Sequence, residues 1–345
     1  MRSFSIIEVS NPTWANIISI AHQYDFYHTQ SYSQLEKQNK PILCVAFHNN
    51  DFIAMPFLIR KIDKTDFFDV TSNYGYCGPV SNLPFESVSK DHILFFQSEL
   101  LSFFKASHFI SAFSRLHPIL NQYTVLENFG IIKVINKTVA IDLTLPKDEQ
   151  YKKYRKNHKK NIERLRNEGF KVIEASTDNE VDLFIQMYYE LLGRIGAHWS
   201  YYFDREYFFR LLNNPCFVTK LFLVKKNSEI TGGGLFTFTS NIIQAHLACY
   251  KIKYRNYAPL KLVFDHVRLL GCDLNMKFLH LGGGRHGSSD DSLFNFKAGF
   301  SDTRLVYNGW QMIIDESKYN YLSDFLNADK QKAGNYFPVY RAGMV

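Results

Sequence analysis

An internal repeat restricts the fold of this chain more strongly than any other feature of its sequence. Residues 42–47 and 52–59 are apolar, β-branched stretches separated by a tight turn, a pattern that predicts a β-hairpin. Residues 220–225 and 230–237 show the same pattern 178 positions later. Because a repeated supersecondary unit implies a repeated core, the chain is expected to form two similar halves rather than one long sheet with unrelated ends.

The two copies continue in parallel beyond their hairpins. A tyrosine-rich stretch that ends in a turn comes next in each copy, at residues 74–79 and 250–259. An amphipathic helix and a further strand follow in each, predicted at residues 92–105 and 109–113 and at residues 260–270 and 278–281. This order predicts an α/β fold of mixed sheets with flanking helices. We expect an N-terminal domain over residues 1–145 and a C-terminal domain over residues 146–345.

A basic helical connector is predicted at the start of the second domain. Much of the net charge of +7 lies in residues 152–166, around an apolar stripe at helical spacing. The connector is expected to end at Gly169, since glycine suits the left-handed residue that follows a helix. Thr177 and Asp204 are suited to cap the two helices that come next.

Length and composition limit the class of protein. With 345 residues, of which 46% are hydrophobic, the chain can bury one large core or two modest ones. Its N-terminus lacks the apolar run of a signal peptide, and no stretch approaches the ~18 uninterrupted apolar residues that a membrane span needs. We therefore expect a cytoplasmic protein that does not insert into a membrane. Its 5 cysteines are scattered and form no Cys/His cluster at metal-ligand spacing, so free thiols and no metal are expected.

The turn between a predicted strand and helix at residues 254–260 is the strongest local signal. Pro259 suits a first helical turn, and unbonded N–H groups there, beside cationic side chains, can hold a pyrophosphate. The candidate cofactor-binding residues are Arg255, Asn256, Tyr257, Ala258, Leu260 and Lys261. The alternative is an ordinary strand-to-helix turn with solvated charges.

A glycine triplet, Gly282-Gly283-Gly284, directly follows the predicted strand at 278–281. Glycines at such a place let the backbone approach a ligand or another strand closely. The spacing of a P-loop is absent, so the triplet is not a nucleotide-binding motif of that kind. A loop that serves packing alone is the competing interpretation.

His246 lies on the predicted strand that follows the second hairpin. An imidazole near its ordinary pKa can act as a general base and take a proton from an ammonium nucleophile. A structural histidine is the alternative. Asp291 can play the same part, or it can simply cap the helix that holds Lys297.

Taken in order, these residues resemble the FemAB-like branch of the GNAT acyltransferases. The resemblance rests on the strand at His246-Leu247, the turn from Arg255 to Leu260, the helix after it, Leu281-Gly282-Gly283-Gly284, Asp291-Ser292-Leu293 and Phe296-Lys297-x-x-Phe300. It extends over residues 140–305, and it covers the first half by architecture only.

The resemblance implies two GNAT-like domains in tandem, with an acyl donor bound mainly by one and an acceptor held between them. Some relatives use aminoacyl-tRNA to build peptidoglycan cross-bridges, whereas others are similar to CoA-dependent enzymes that acylate nucleotide-linked amino sugars for surface polysaccharides. The sequence lacks the long coiled-coil hairpin of the cross-bridge enzymes, which favours acyl-CoA as co-substrate and an amino sugar as acceptor. The tRNA-dependent reaction is the alternative. A non-catalytic binder of nucleic acid or a membrane surface, through residues 152–166, is a third hypothesis.

Under the leading hypothesis the amine attacks the thioester directly, beside the strand at 245–249. His246 is then the expected base, with Asp291 in reserve, and Lys297 holds a phosphate. The expected acceptor-binding residues are Tyr74, Tyr76, Tyr201, Arg285 and Lys297. Small-molecule substrates are the expected partners, tRNA only under the alternative, and a homodimer is left open.

Overall fold

The computed structural model describes residues 1–284, 291–326 and 336–342. The chain forms two compact units, the first from residues 1–135 and 306–345 and the second from residues 136–305. No helix in the described part of the chain is both long and apolar enough to span a membrane.

The strands are numbered along the chain. They are β1 (Arg2–Glu8), β2 (Lys40–His48), β3 (Asp51–Lys61), β4 (Phe68–Thr71), β5 (Val80–Ser81), β6 (Phe109–Arg115), β7 (Ile131–Asp142), β8 (Phe170–Glu174), β9 (Val218–Lys226), β10 (Glu229–Thr239), β11 (Ile242–Tyr250), β12 (Phe278–Gly283) and β13 (Arg304–Ile313).

The α-helices are α1 (Thr13–Ser19), α2 (Gln30–Ser33), α3 (Lys90–Ala106), α4 (Tyr123–Leu126), α5 (Lys147–Lys152), α6 (Lys156–Asn167), α7 (Asp178–Arg194), α8 (Arg205–Leu212), α9 (Leu260–Asp273), α10 (Ser292–Lys297) and α11 (Glu316–Phe325). Thr177 and Asp204 cap α7 and α8 as expected. The predicted connector is two helices rather than one, because the chain leaves the helical conformation between Lys152 and Lys156. The second of them, α6, ends at Asn167, two residues before Gly169.

In the first unit the sheet order is β1-β2-β3-β4-β6-β13, with β5 beside β3. Neighbouring strands are antiparallel except β4 and β6, which are parallel. Phe96, Leu100 and Phe104 of α3 are fully buried in one core cluster with β2 and β3. Trp14 of α1 is buried in a second cluster.

In the second unit the order is β7-β12-β11-β10-β9-β8, and here β11 and β12 are the parallel pair. Val263 and Val267 of α9 pack in the main core with residues of α6 and the sheet. A side chain at Gly232 would meet Pro259, whereas one at Gly233 would meet Phe184 of α7. Since successive strand residues face opposite sides, α9 and α7 cover opposite faces of this sheet.

The internal repeat is visible in this topology. A hairpin, a third antiparallel strand, a helix and a parallel strand follow each other as β2-β3-β4-α3-β6 and again as β9-β10-β11-α9-β12. An extra antiparallel strand, β1 or β8, lies beside the first strand of each copy.

The domain boundaries differ from the expected division at residue 145. The chain enters the second unit within β7, which pairs with β12, and returns within β13, which pairs with β6. The described residues after 305 therefore belong to the first unit from Val306 onwards, although the sequence placed them in the C-terminal domain. The reason is that the last strand in the order of each unit, β13 or β7, comes from the other half of the sequence, a long-range pairing without a local signal.

Candidate active site

The parallel strands β11 and β12 separate soon after they meet. Their ladder covers residues 242–244 and 278–280, and from there β11 continues to Tyr250 while β12 continues to Gly283 in contact with β7. On its other edge β11 stays paired with β10. A gap, the β11/β12 wedge, therefore opens between residues 245–250 and 281–283, where backbone groups of a strand edge can meet a ligand.

The corresponding pair in the first unit does not separate. Beyond the ladder of β4 and β6, the backbone N–H of Ser72 donates to Phe113 O at 3.0 Å and that of Cys77 donates to Arg115 O at 2.8 Å. Cys77 also forms a parallel bridge with Leu116. Because backbone hydrogen bonds hold these two segments together, only the second unit offers a wedge of this kind in the described part of the chain.

Two buried polar side chains, which the sequence did not single out, lie where the wedge begins. The Nδ1 of His280 is 2.6 Å from Oε1 of Gln244, and the two residues are 0% and 2% exposed. Because an amide oxygen only accepts, the proton of His280 lies on Nδ1. The one local sign was the position of His280 just before the glycine triplet.

His246 lies one step into the wedge, at a bulge. Leu235 pairs with Leu247 and Phe236 with Ala245, which leaves His246 as the extra residue of β11. Such a bulge reorients a side chain relative to its neighbours. Its Nε2 is 2.7 Å from the hydroxyl of Tyr207.

The pKa of His246 differs from the ordinary value that the sequence suggested. Burial lowers the pKa of His246 to about 3, because the low-dielectric surroundings disfavour the charged form. The imidazole is therefore neutral near pH 7, and a proton that it accepts is released again quickly.

The predicted pyrophosphate turn leads from the end of β11 into α9. Ala258 has a φ of 55°, and α9 begins at Leu260 with Pro259 as N-cap and no side-chain cap. The backbone N–H groups of Lys261 and Leu262 donate to the backbone O atoms of Ala258 and Pro259, each at 3.0 Å, so the turn attracts an anion through the dipole of α9 and the cations beside it. Arg255 ends the short helical turn before it.

Cations of α6 and α9 gather at this turn. Arg164 donates to the backbone O of Asn256 at 2.9 Å and lies 5.3 Å from the ring centre of Tyr257. Lys261, 7% exposed, donates to Oδ1 of Asn161 at 3.0 Å. Burial, and secondly the charge of Arg164, lower the pKa of Lys261.

Lys297 and Asp291 lie at the other edge of the wedge. Nζ of Lys297 donates to the backbone O of Gly283, the last residue of β12, at 2.7 Å. Burial lowers the pKa of Lys297 to about 8, against the opposing effect of the Asp291 charge. Oδ1 of Asp291 accepts from the backbone N of Leu293 and Phe294, so this carboxylate caps α10, the alternative that the sequence left open. Its part as a reserve base stays a prediction.

The remaining predicted residues are distributed between the two units. Tyr201, 40% exposed, lies in the second unit, and its backbone O accepts from the hydroxyl of Tyr188. Tyr74 and Tyr76 belong to the first unit, where the ring of Tyr76 packs edge-on against His117 and Tyr307. Arg285 lies outside the described residues.

A pocket of about 470 Å³ lies in the first unit, a volume typical of small-molecule sites. Its lining combines cationic and aromatic side chains, with one carboxylate: Arg60, Arg115, Lys133, Tyr74, Tyr307, Tyr336 and Glu36. Arg60 is paired with buried Asp69. Tyr74 is thus the predicted acceptor residue that lines a cavity, and Tyr76 is absent from its lining.

No protein-family model matches the sequence, and no curated protein sequence matches it significantly. The fold is similar to that of FemX, with a TM-score of 0.72 and 11% identity over 92% of this chain and 99% of FemX. L-PGS from Bacillus licheniformis gives a TM-score of 0.57 and 13% identity over 88% of this chain and 92% of that protein. A conserved protein of unknown function from Bacteroides thetaiotaomicron gives 0.60 and 10%, over 91% of this chain and all of that one.

These similarities extend over nearly the whole chain and over both copies of the repeat. The mixed α/β architecture with flanking helices and two GNAT-like units in tandem is thereby confirmed. The fold of this chain is thus similar to the folds of FemX and L-PGS.

Proposed function

We propose that this chain is an N-acyltransferase that joins the acyl group of an activated ester or thioester to an amine. The β11/β12 wedge, which opens beside the uncapped N-terminus of α9, is the observation that carries this proposal. A donor carbonyl placed along β11 would meet backbone N–H groups on one side and the ammonium of Lys297 on the other. Preorganised donors of this kind stabilise the oxyanion of acyl transfer.

Aminoacyl-tRNA is the donor that the surface of the second unit favours. Five of the exposed cations of α5, α6 and the residues between them form the α5–α6 basic face: Lys152, Arg155, Lys156, Lys160 and Arg164. This face is continuous with the candidate site, because Arg164 reaches Asn256 and Lys261 reaches Asn161. A row of cations that ends at a helix N-terminus suits a donor whose backbone carries many phosphates. The fold similarity to FemX supports this choice over the acyl-CoA donor that the sequence favoured.

Neutralising the α5–α6 basic face is expected to weaken binding of aminoacyl-tRNA about tenfold and to lower the salt dependence of log Kd by about 1.5. The variant is Lys156→Gln with Lys160→Gln, measured by filter binding from 50 to 200 mM salt. Lys171→Gln with Lys277→Gln is the matched control, since both lysines are exposed in the same unit and neither belongs to α5, α6 or the residues between them. Equal weakening by both double variants would contradict a dedicated tRNA face.

Transfer itself is tested with labelled aminoacyl-tRNA and a panel of amine acceptors that includes peptidoglycan precursors. We expect a labelled amide product that disappears when the tRNA is digested by ribonuclease beforehand. Product formation from acyl-CoA alone, insensitive to ribonuclease, would move the proposal to the second candidate.

The second candidate is transfer from acyl-CoA to a nucleotide-linked amino sugar. One support is the pocket of the first unit, where cations and tyrosine rings suit a phosphate and a flat ring. The other is the short turn before the N-terminus of α9, which has room for one pyrophosphate rather than for a long row of phosphates. On this candidate, calorimetry detects binding of CoA, and Arg255→Ala weakens it about tenfold through loss of one phosphate contact. CoA binding that is identical in wild type and variant would remove Arg255 from the donor site.

A further inference from the structure

A buried tyrosine touches His246 and has no part in the reaction as described so far. The hydroxyl of Tyr207, in α8, lies 2.7 Å from Nε2 of His246, and Tyr207 is 9% exposed. His246 is the bulged residue of β11, close to the point where the wedge begins. The contact therefore joins α8 to the edge of β11, along which we place the donor carbonyl.

The orientation of Tyr207 is set by the protein itself. Its ring stacks on Phe203, with centroids 4.1 Å apart and an interplanar angle of 11°. Its backbone N–H donates to Oδ1 of Asp204, the N-cap of α8, at 2.9 Å. A side chain held by a stacked ring and a capped helix turn is preorganised, as an exchange partner in catalysis needs to be.

Neighbouring tyrosines use their hydroxyls differently. Those of Tyr188 and Tyr189, both in α7, donate to the backbone O atoms of Tyr201 and Phe203. Such bonds fix the loop before α8 and involve no group that can change its protonation. Tyr207 instead meets a titratable side chain, so its hydroxyl can both accept and pass on a proton.

We propose that Tyr207 and His246 act as one unit, in which the tyrosine hydroxyl relays a proton between the attacking amine and the imidazole. This inference rests on the proposed acyl transfer. As the nitrogen forms its bond to the carbonyl carbon, it gives a proton to Oη of Tyr207, and the hydroxyl proton of Tyr207 passes to Nε2 of His246. When the C–O bond of an ester, or the C–S bond of a thioester, breaks, its electron pair stays on the departing atom. The same path in reverse returns the proton to that atom, so both side chains end neutral.

The surroundings of His246 favour a residue that passes a proton on over a general base that holds the proton. Tyr207 from α8 contacts His246, and Glu190 and Arg194 from α7 act on Cys249, three residues further along β11. Burial lowers the pKa of His246 to about 3. An imidazolium in such surroundings gives its proton up at once, which suits transfer to a leaving group.

The test is a double-mutant cycle with Tyr207→Phe and His246→Gln. Each single variant is expected to lower kcat about 100-fold with a small change in KM, since proton transfer contributes on that order. The double variant is expected to be no slower than the slower single variant, because residues that act as a unit are non-additive. Tyr188→Phe is the matched control and is expected to retain kcat. A Tyr207→Phe variant with kcat within twofold of wild type, or losses that multiply in the double variant, would overturn the proposal.

A second readout does not depend on transfer. The ring protons of His246, assigned by their absence in His246→Gln, are followed by NMR against pH. Tyr207→Phe removes the hydroxyl bonded to Nε2, and the pKa of His246 is then expected to rise, because that bond favours the neutral ring. A titration unchanged by Tyr207→Phe would refute the coupling even in an active enzyme. Absence of transfer from every donor, with the NMR shift present, would instead refute the proposed function.

Discussion

Replacing Lys297 by methionine is expected to lower kcat of acyl transfer by a factor of about 100 to 1,000, the cost of removing one oxyanion donor. Lys297 is bonded through Nζ to the backbone O of Gly283, at the end of β12 where the wedge opens. One N–H serves that bond, which leaves two for the charge that develops on the donor carbonyl. The measurement is kcat under saturating substrate.

Lys277→Met is the control for this variant, since Lys277 is exposed just before β12. It is expected to retain activity. Thermal unfolding of both variants separates a catalytic effect from a loss of structure. A Lys297→Met protein that is folded and fully active would remove Lys297 from the mechanism.

The pH dependence of kcat follows from the same lysine. Burial lowers the pKa of Lys297 to about 8, below the ordinary lysine value near 10.5. If the ammonium form is required, kcat is constant below this pKa and falls about tenfold per pH unit above it. The unfolded chain holds this proton up to about pH 10.5, so burial of Lys297 costs stability below pH 8 and the cost fades between pH 8 and 10.5. Lys297→Met is therefore expected to lose activity near pH 7 without losing stability.

Replacing Asp69 by asparagine is expected to lower the free energy of unfolding by about 3–5 kcal/mol, as when one partner of a buried ion pair is removed. The Asp69 side chain is 0% exposed and accepts from Arg60 at 2.9 Å and from Nε of Arg341 at 2.7 Å. The hydroxyl of Tyr340 also donates to it at 2.9 Å. Without the carboxylate charge, two guanidinium groups lose their counter-ion and residues 336–342 lose their main attachment to β4.

Urea denaturation measures this loss, and Asp66→Asn is the matched control. Asp66 pairs with Lys61 at 3.2 Å in the same β3–β4 hairpin, but its side chain is fully exposed. Exposed pairs contribute about 0–1 kcal/mol, so this variant is expected to keep the wild-type stability. Equal effects of the two substitutions would show that burial of Asp69 does not govern its contribution.

The local elements could be predicted because their signals are local. The amphipathic helix expected at 92–105 is α3, and the one expected at 260–270 is the first part of α9. Both hairpins lie where alternating apolar stretches and short turns predicted them. Each of these features needs only neighbours within a few residues, which is the range that periodicity and capping describe.

The pairing of distant strands could not be predicted from the sequence. Nothing near β13 indicates that it joins β6, about two hundred residues earlier, because any β-strand of suitable apolar pattern fits a sheet edge equally well. The parting of β11 from β12 has the same origin, since the length of a parallel ladder depends on where two distant segments diverge.

The candidate site contains residues that the sequence identified and residues that it did not. Gly283, Arg255 and Lys297 were found from residue type and order. The structure places Gly283 and Lys297 at the wedge and Arg255 at the turn between β11 and α9. Tyr207, Gln244 and His280 were missed, since a tyrosine on a helix and a polar residue on a strand look ordinary until their contacts are known.

By itself, the sequence determined the repeated order of strands and helices, the caps of α7 and α8 and the basic character of α6, because propensity, periodicity and charge belong to neighbouring residues. Only the tertiary structure decided which strand ends the order in each unit, which parallel pair opens into a wedge, and which side chains His246 and Lys297 contact. These outcomes depend on packing between distant segments, and burial there also sets the protonation of both groups.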